Sequence, residues 1–280
     1  MGQTVGFFTD TSVCIGCKAC QVACRQWNDP PASPDPPAFE LPQLSGDSYD
    51  NTGSFSDVNW RHVKFIEQFS ADEDRTESAW LMMSDVCKHC VNAPCLEACP
   101  TGAILRTEFD TVYIHEPACN GCRDCISACP FGVIHMSATR GVAQKCTFCY
   151  DRLKNGLVPA CAQACPTDSI QFGPIDRLKA RARRRLDQLH GEGQSQARLY
   201  GADESVLGGL NSFYLLMDEP EVYRLPGRPK MPSQSVPLSA FWSIVAAVMT
   251  ALGALFSFRE RTDSPSGDGQ PEGSADGAAT

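Results

Sequence analysis

Residues 14–24 read C-I-G-C-K-A-C-Q-V-A-C, and residues 119–129 read C-N-G-C-R-D-C-I-S-A-C. Both have the spacing C-x2-C-x2-C-x3-C. Two further groups vary the same theme. Cys87, Cys90, Cys95 and Cys99 have four residues in the middle gap, and Cys146, Cys149, Cys161 and Cys165 have eleven. These four groups use all 16 cysteines of the chain. Cysteines two apart in a loop put both sulfurs on neighbouring corners of a small target, with the intervening amides pointing the same way. The last cysteine of each group, three residues further on, falls on a short helix that starts at the loop.

Disulfides do not suit this pattern, because cysteines two residues apart can rarely bridge each other. Zinc is the stronger competitor, since C-x2-C pairs also build zinc ribbons. A structural zinc site joins two separated pairs, however, whereas here three cysteines follow one another at x2 gaps and x3-C closes the run. Pro100, Pro130 and Pro166 each follow the last cysteine of a group, in C-P-T-G-A-I, C-P-F-G-V-I and C-P-T-D-S-I. That ending, in which the chain leaves a cluster loop for a short strand, is the bacterial ferredoxin pattern. The sequence thus predicts four [4Fe–4S] clusters, with the sixteen cysteines as iron ligands. In two-cluster ferredoxins the fourth cysteine of one motif ligates the partner cluster. Spacing leaves the partners open: the gap from Cys99 to Cys119 suits a standard pair, and so does that from Cys129 to Cys146.

Composition narrows the function. A formal charge of −9 argues against a nucleic-acid partner. The 5 histidines, at 62, 89, 115, 135 and 190, form no nucleophile or acid–base constellation, so no catalytic residue is expected. His89 lies inside the second group, where four thiolates already suffice as ligands; a supporting or solvent role is expected. Lys18, Lys88, Arg123 and Lys145 flank the loops and are candidates for raising cluster potentials. Met1 to Ser12 carries no charged, apolar or twin-arginine leader, so no export signal is expected here. Thiolate–iron bonds should stand in for much of a conventional core, leaving the apoprotein largely unfolded.

The stretch from Asp29 to Gly53 is proline-rich and reads as an irregular loop. Alternation in W-R-H-V-K-F-I-E from Trp60 predicts a strand, and short strands are expected around Ile104, Val112–Ile114 and Ile134. Residues 175–190 form a helix candidate with Ile175, Leu178, Leu186 and Leu189 on one face and a basic, solvated remainder. Residues 238–258, LSAFWSIVAAVMTALGALFSF, are uncharged and apolar or small all round, long enough for a single transmembrane helix with Trp242 as an interfacial anchor. The tail beyond Asp263 reads as disordered.

Four such motifs in this order, the last with a long middle gap, resemble the iron–sulfur subunits of molybdopterin oxidoreductases. C-I-G-C-K-A-C-Q-V-A-C-R-Q-W-N-D (14–29), K-C-T-F-C-Y-D-R (145–152) and P-A-C-A-Q-A-C-P-T (159–167) look like those of the membrane-bound respiratory formate dehydrogenase beta subunit. So do L-G-G-L-N-S-F-Y-L-L from Leu207 and E-P-E-V-Y-R-L-P from Glu219. The resemblance implies an α+β fold of two interlocked ferredoxin-like 2[4Fe–4S] domains, one inserted in the other, with one C-terminal transmembrane helix. The first would comprise 1–79 and 141–175, the insert 80–140, a helical and extended connector 176–236, the membrane helix 237–258 and the tail 259–280. It also implies the pairing. One cluster would take Cys14, Cys17, Cys20 and Cys165, a second Cys146, Cys149, Cys161 and Cys24. The third would take Cys87, Cys90, Cys95 and Cys129, and the last Cys119, Cys122, Cys125 and Cys99. The implied role is electron relay from a molybdenum or tungsten pterin catalytic alpha subunit to a cytochrome b gamma subunit and quinone in the lipid bilayer. The implied location is a single-pass attachment to the cell membrane, with the cluster domain on the outer face after co-export with the catalytic subunit. Subunits of polysulfide, thiosulfate or dimethyl sulfoxide reductases are the alternative within the same group, and a zinc scaffold is a third reading.

Overall fold

The structure is a computed structural model that describes residues 3–28, 49–50, 52–69, 79–235 and 238–262. Most of the proline-rich stretch and the tail 263–280 lie outside the described residues. Two units are distinct, Met1–Gln234 and Ser235–Thr280.

In the first unit the chain runs β1 (Val5–Asp10), α1 (Ala19–Asn28), β2 (Arg61–Gln68), β3 (Ala79–Val86), α2 (Pro94–Glu97), β4 (Ile104–Arg106) and β5 (Val112–Ile114). It continues through α3 (Asp124–Ala128), β6 (His135–Met136), β7 (Ala143–Gln144), α4 (Tyr150–Lys154), α5 (Ala160–Gln163) and β8 (Ile170–Pro174). It ends with α6 (Ile175–Gly191), β9 (Arg198–Tyr200) and β10 (Ser212–Leu216). The strand expected from Trp60 is β2, and those expected near Ile104 and Val112 are β4 and β5. The strand expected around Ile134 begins one residue later, as β6. In α6 the predicted Leu178 and Leu189 are buried and the predicted Ile175 and Leu186 are partly buried against the core, while Ala182, not among the predicted positions, is buried as well.

One mixed sheet has the order β8-β1-β10-β9. β1 lies parallel to β10, with Phe8 opposite Phe213, and antiparallel to β8, with Thr9 opposite Ile170. Its core is conventional: Phe7, Phe8, Phe213, Tyr214, Leu215 and Leu216 are all buried. The β1–β8 pairing brings the two ends of the cysteine ladder together. Asp10 N–H donates to the Ser169 carbonyl at 2.8 Å, and Ser169 Oγ donates to the Asp10 carbonyl at 2.7 Å. The segment 176–236 does more than connect, because β10 occupies the middle of this sheet. The L-G-G-L-N-S run leading into it also fastens the loop of the second cysteine group. Asn92 N–H donates to the Leu207 carbonyl at 2.8 Å, Val91 N–H to that of Gly209 at 2.9 Å, and Ser212 N–H to that of Lys88 at 2.9 Å. Three two-stranded ribbons, β2–β3, β4–β5 and β6–β7, surround the cysteine loops.

The second unit contains α7 (Leu238–Thr262), a helix of 25 residues. Its side chains are described over 241–257, where Phe241, Trp242, Ile244, Val248, Met249, Leu252, Leu255 and Phe256 are exposed. Among the described residues no helix is long and apolar enough to cross a membrane.

Candidate iron–sulfur centres

All sixteen thiols are free. Their loops share one backbone device. Gly16, His89, Gly121 and Phe148, each the second residue between the first two cysteines of its group, adopt φ of +64°, +44°, +73° and +61°. Lys18, Arg123 and Cys149 follow with φ of +60°, +72° and +50°. A left-handed residue beside right-handed ones turns successive N–H groups towards one concave side, making an anion-binding nest. Phe148 N–H, for example, donates to Cys146 Sγ at 3.3 Å. Glycine meets this need without strain at two positions. At Gly16 a Cβ would also lie only 2.6 Å from the Phe65 ring, and at Gly121 only 2.6 Å from the Gly141 carbonyl oxygen.

The loops bring cysteines together across groups. Cys14, Cys17 and Cys20 line a cavity with Cys165. Cys87, Cys90 and Cys95 line another with Cys129, and Cys119, Cys122 and Cys125 a third with Cys99. The remaining four, Cys24, Cys146, Cys149 and Cys161, are all buried. Burial first, then the Cys146, Cys161 and Cys149 thiolates, push the Cys24 thiol well above its ordinary value. Asn28 Nδ2 reaches towards this set, 3.6 Å from Cys24 Sγ and 4.0 Å from Cys149 Sγ. The threonines of the two C-P-T endings approach their cysteines similarly: Thr101 Oγ1 is 3.7 Å from Cys99 Sγ, and Thr167 Oγ1 is 3.8 Å from Cys165 Sγ.

The sets also act on one another electrostatically. Cys161 of the second set raises the thiol of Cys20 in the first, and Cys87 raises that of Cys146. Cys125 in turn raises that of Cys95. Neighbouring charges thus link the Cys14 set to the Cys24 set, the Cys24 set to the Cys87 set and the Cys87 set to the Cys119 set.

The electrostatics ask for a cationic guest. Burial, reinforced by neighbouring thiolates, pushes Cys20 and Cys149 up to about 11 and Cys95 and Cys146 up to about 12. Thiols of that kind ionise at neutral pH only when metal replaces the proton. Cys99 is the exception. Burial pushes it up, but backbone N–H groups of Ile104, Thr101 and Ala103 and the Thr101 hydroxyl bring it below the usual thiol value. Among the described residues, no three or more His, Cys, Asp or Glu groups converge as a single metal ion needs. Zinc would require four ligands about 2.0–2.3 Å from one point. Three of the sets each line one cavity with four sulfurs, the donor set of an all-thiolate cubane.

The flanking residues singled out from sequence divide. Lys88 is fully buried beside the Cys87 cavity, but its Nζ is ion-paired with Asp85 and donates to the Val86 carbonyl at 2.8 Å. Lys145 is buried too, and its Nζ donates to the carbonyls of Val112 and Cys146. Lys18 donates to the Tyr49 carbonyl at 3.0 Å, and Arg123 lines the Cys119 cavity. His89 is buried, which removes the solvent role. Its Nδ1 accepts from Val112 N–H at 3.0 Å, while Nε2 has no partner. Burial first, then Lys145, Arg106 and Arg61, hold its pKa well below the ordinary value, so the ring is neutral.

Sequence reasoning passed over Arg61, read only as part of a strand. It is 1% exposed, and its guanidinium carbon lies 5.2 Å from the Phe7 ring centre. One Nη donates to Ser84 Oγ at 2.9 Å, and that hydroxyl lies 3.1 Å from Cys20 Sγ.

Comparison with known proteins agrees with this chemistry. Two families, both described as "4Fe-4S dicluster domain", match residues 13–103 and 78–175. The formate dehydrogenase-O iron-sulfur subunit of Escherichia coli is 34% identical over 91% of this chain and 81% of its own length. The formate dehydrogenase iron-sulfur subunit of Haemophilus influenzae is 36% identical over 88% and 75%. The thiosulfate reductase electron transfer subunit of Salmonella typhi is 39% identical, but over only 60% of this chain and 74% of its own. Two dicluster regions and sixteen cysteines provide for four [4Fe–4S] clusters. The chain belongs to the formate dehydrogenase iron–sulfur subunits.

Proposed function

We propose that this chain is the electron relay of a membrane formate dehydrogenase, joining a molybdopterin catalytic subunit to a cytochrome b and quinone site. The four linked cysteine sets carry the reading. When bound, a [4Fe–4S] cluster takes up and returns one electron at a time. The protein holds each in thiolates from two motifs, shields the two middle sets from water and keeps neighbouring sets close. The ligand sets are Cys14, Cys17, Cys20 and Cys165; Cys24, Cys146, Cys149 and Cys161; Cys87, Cys90, Cys95 and Cys129; and Cys99, Cys119, Cys122 and Cys125. Three of these sets each line a common cavity, and in the Cys24 set Asn28 Nδ2 lies 3.6 Å from Cys24 Sγ and 4.0 Å from Cys149 Sγ. Purification of the intact complex and assay of formate oxidation with a quinone acceptor tests the role. Turnover of thiosulfate or dimethyl sulfoxide in place of formate would refute it. The smaller share of the chain matched by the thiosulfate reductase subunit favours formate.

α7 is the membrane anchor in this reading. Its 25 residues would extend about 37 Å at 1.5 Å per residue, against a hydrocarbon core of about 30 Å. Its exposed apolar side chains require a non-aqueous neighbour. The relay faces the outside of the cytoplasm after export with the catalytic subunit. Protease cleavage of the 264–280 tail only after spheroplast lysis would support that orientation, and cleavage in intact spheroplasts would oppose it.

A further inference from the structure

Arg61 is among the largest fully buried side chains, and its charge has no conventional counterpart. Among the described residues it joins no ion pair with a carboxylate. Nε and one Nη have no hydrogen-bond partner at all. A guanidinium cannot shed its proton to escape such a place, and an uncompensated buried cation is strongly unfavourable. Compensation must come from nearby anions. Burial works against the charge, but Cys161, Cys20, Cys146 and Tyr214 more than offset it. Geometry sets Arg61 against both the first and the second cysteine set: Ser84 Oγ, which accepts from one Nη, lies 3.1 Å from Cys20 Sγ, and the Phe7 ring under the guanidinium stacks at 4.1 Å on Phe148 of the Cys146–Cys149 loop.

We infer that Arg61 is the shared counter-cation of these two cluster sites, a positioning residue whose unpaired N–H groups serve their sulfur face and hold both reduction potentials up together. The inference rests on the ligand sets proposed above. It differs from the roles considered for the flanking lysines. Lys88 is already neutralised by Asp85, whereas the charge of Arg61 is available to the clusters. A cation close to two centres favours the reduced, more negative state of each, and so raises both potentials. Arginine suits the task because its planar fork can donate in two directions from one fixed position.

The test is a redox titration of the intact complex followed by EPR. Cys165→Ser and Cys161→Ser variants first assign the signals of the two sites. In Arg61→Met the reduction equilibrium at both sites should become at least tenfold less favourable, which is about 59 mV for a one-electron couple. The other two clusters should keep their potentials. Arg61→Lys should retain most of the wild-type value, because it keeps the charge. If Arg61→Met fails to hold iron, Arg61→Gln supplies the same neutral comparison. Unchanged potentials at full iron content would overturn the inference, as would an equal shift of all four clusters or an Arg61→Lys shift as large as that of Arg61→Met. Two shifted clusters carrying other cysteines would contradict the ligand sets and leave the role of Arg61 standing.

Discussion

Replacing Asp85 with Asn removes the one carboxylate that neutralises a buried lysine directly beside the second cysteine group. Asp85 is the penultimate residue of β3 and is fully buried with Lys88. It pairs with Lys88 and, at 2.7 Å, with Lys64, and it accepts from the Tyr214 hydroxyl at 3.1 Å. The cluster ties the β2–β3 ribbon to β10 of the main sheet. Breaking one side of a buried pair costs about 3–5 kcal/mol, because the other charge is left without compensation. At roughly 2–4 °C per kcal/mol for a unit of the size of Met1–Gln234, the apparent transition should fall by ~6–20 °C. Cluster loss makes unfolding irreversible, so variants are compared anaerobically at one scan rate. Burial pushes the Asp85 carboxyl up, but Lys88 and Lys64 more than offset it, holding it well below the usual carboxylate range. Its contribution is therefore complete above the unfolded value of about 3.9 and lost only as pH falls through the lower folded value. The deficit should be constant between about pH 6 and 8. The double variant Asp85→Leu/Lys88→Met should recover most of the loss, since replacing a whole buried pair by apolar groups is often neutral. Lys64 would keep the Tyr223 carbonyl at 3.0 Å. A fall of less than about 2 °C in Asp85→Asn, or no recovery in the double variant, would refute the argument.

Two further predictions concern the cluster sites. Gly121→Ala combines φ of +73° with a Cβ 2.6 Å from the Gly141 carbonyl oxygen, neither of which side-chain motion can relieve. Iron should fall from about sixteen to about twelve per chain, and a full complement would contradict the geometry. Iron removal should act unevenly, because β1 and β10 share a conventional apolar core while residues 87–136 depend on thiolate bonds. Hydrogen exchange after chelation should expose the latter amides and spare the former; uniform loss of protection would favour an apoprotein unfolded throughout.

The cysteine groups were legible in the sequence because ligand spacing is local. Their partners were not, because pairing depends on β1 meeting β8 across more than the whole ladder, and no local pattern records that. β10 was hidden for a similar reason: S-F-Y-L-L is buried along its whole length and shows no alternation, and its parallel partner lies at the other end of the chain. Arg61 escaped notice because β2 mixes charged and apolar residues on both faces, so alternation could not mark one charge as buried. The left-handed turns were visible at Gly16 and Gly121 but silent at His89 and Phe148.

The interlocking of motif one with motif four is the claim on which the relay depends. EPR of the reduced complex, compared among Cys14→Ser, Cys24→Ser, Cys161→Ser and Cys165→Ser, tests it most directly. The account predicts that Cys165→Ser alters the signal changed by Cys14→Ser, and that Cys24→Ser alters the one changed by Cys161→Ser. Cys165→Ser altering the Cys161→Ser signal, with Cys24→Ser altering that of Cys14→Ser, would mean that each motif holds its own cluster and would contradict the account.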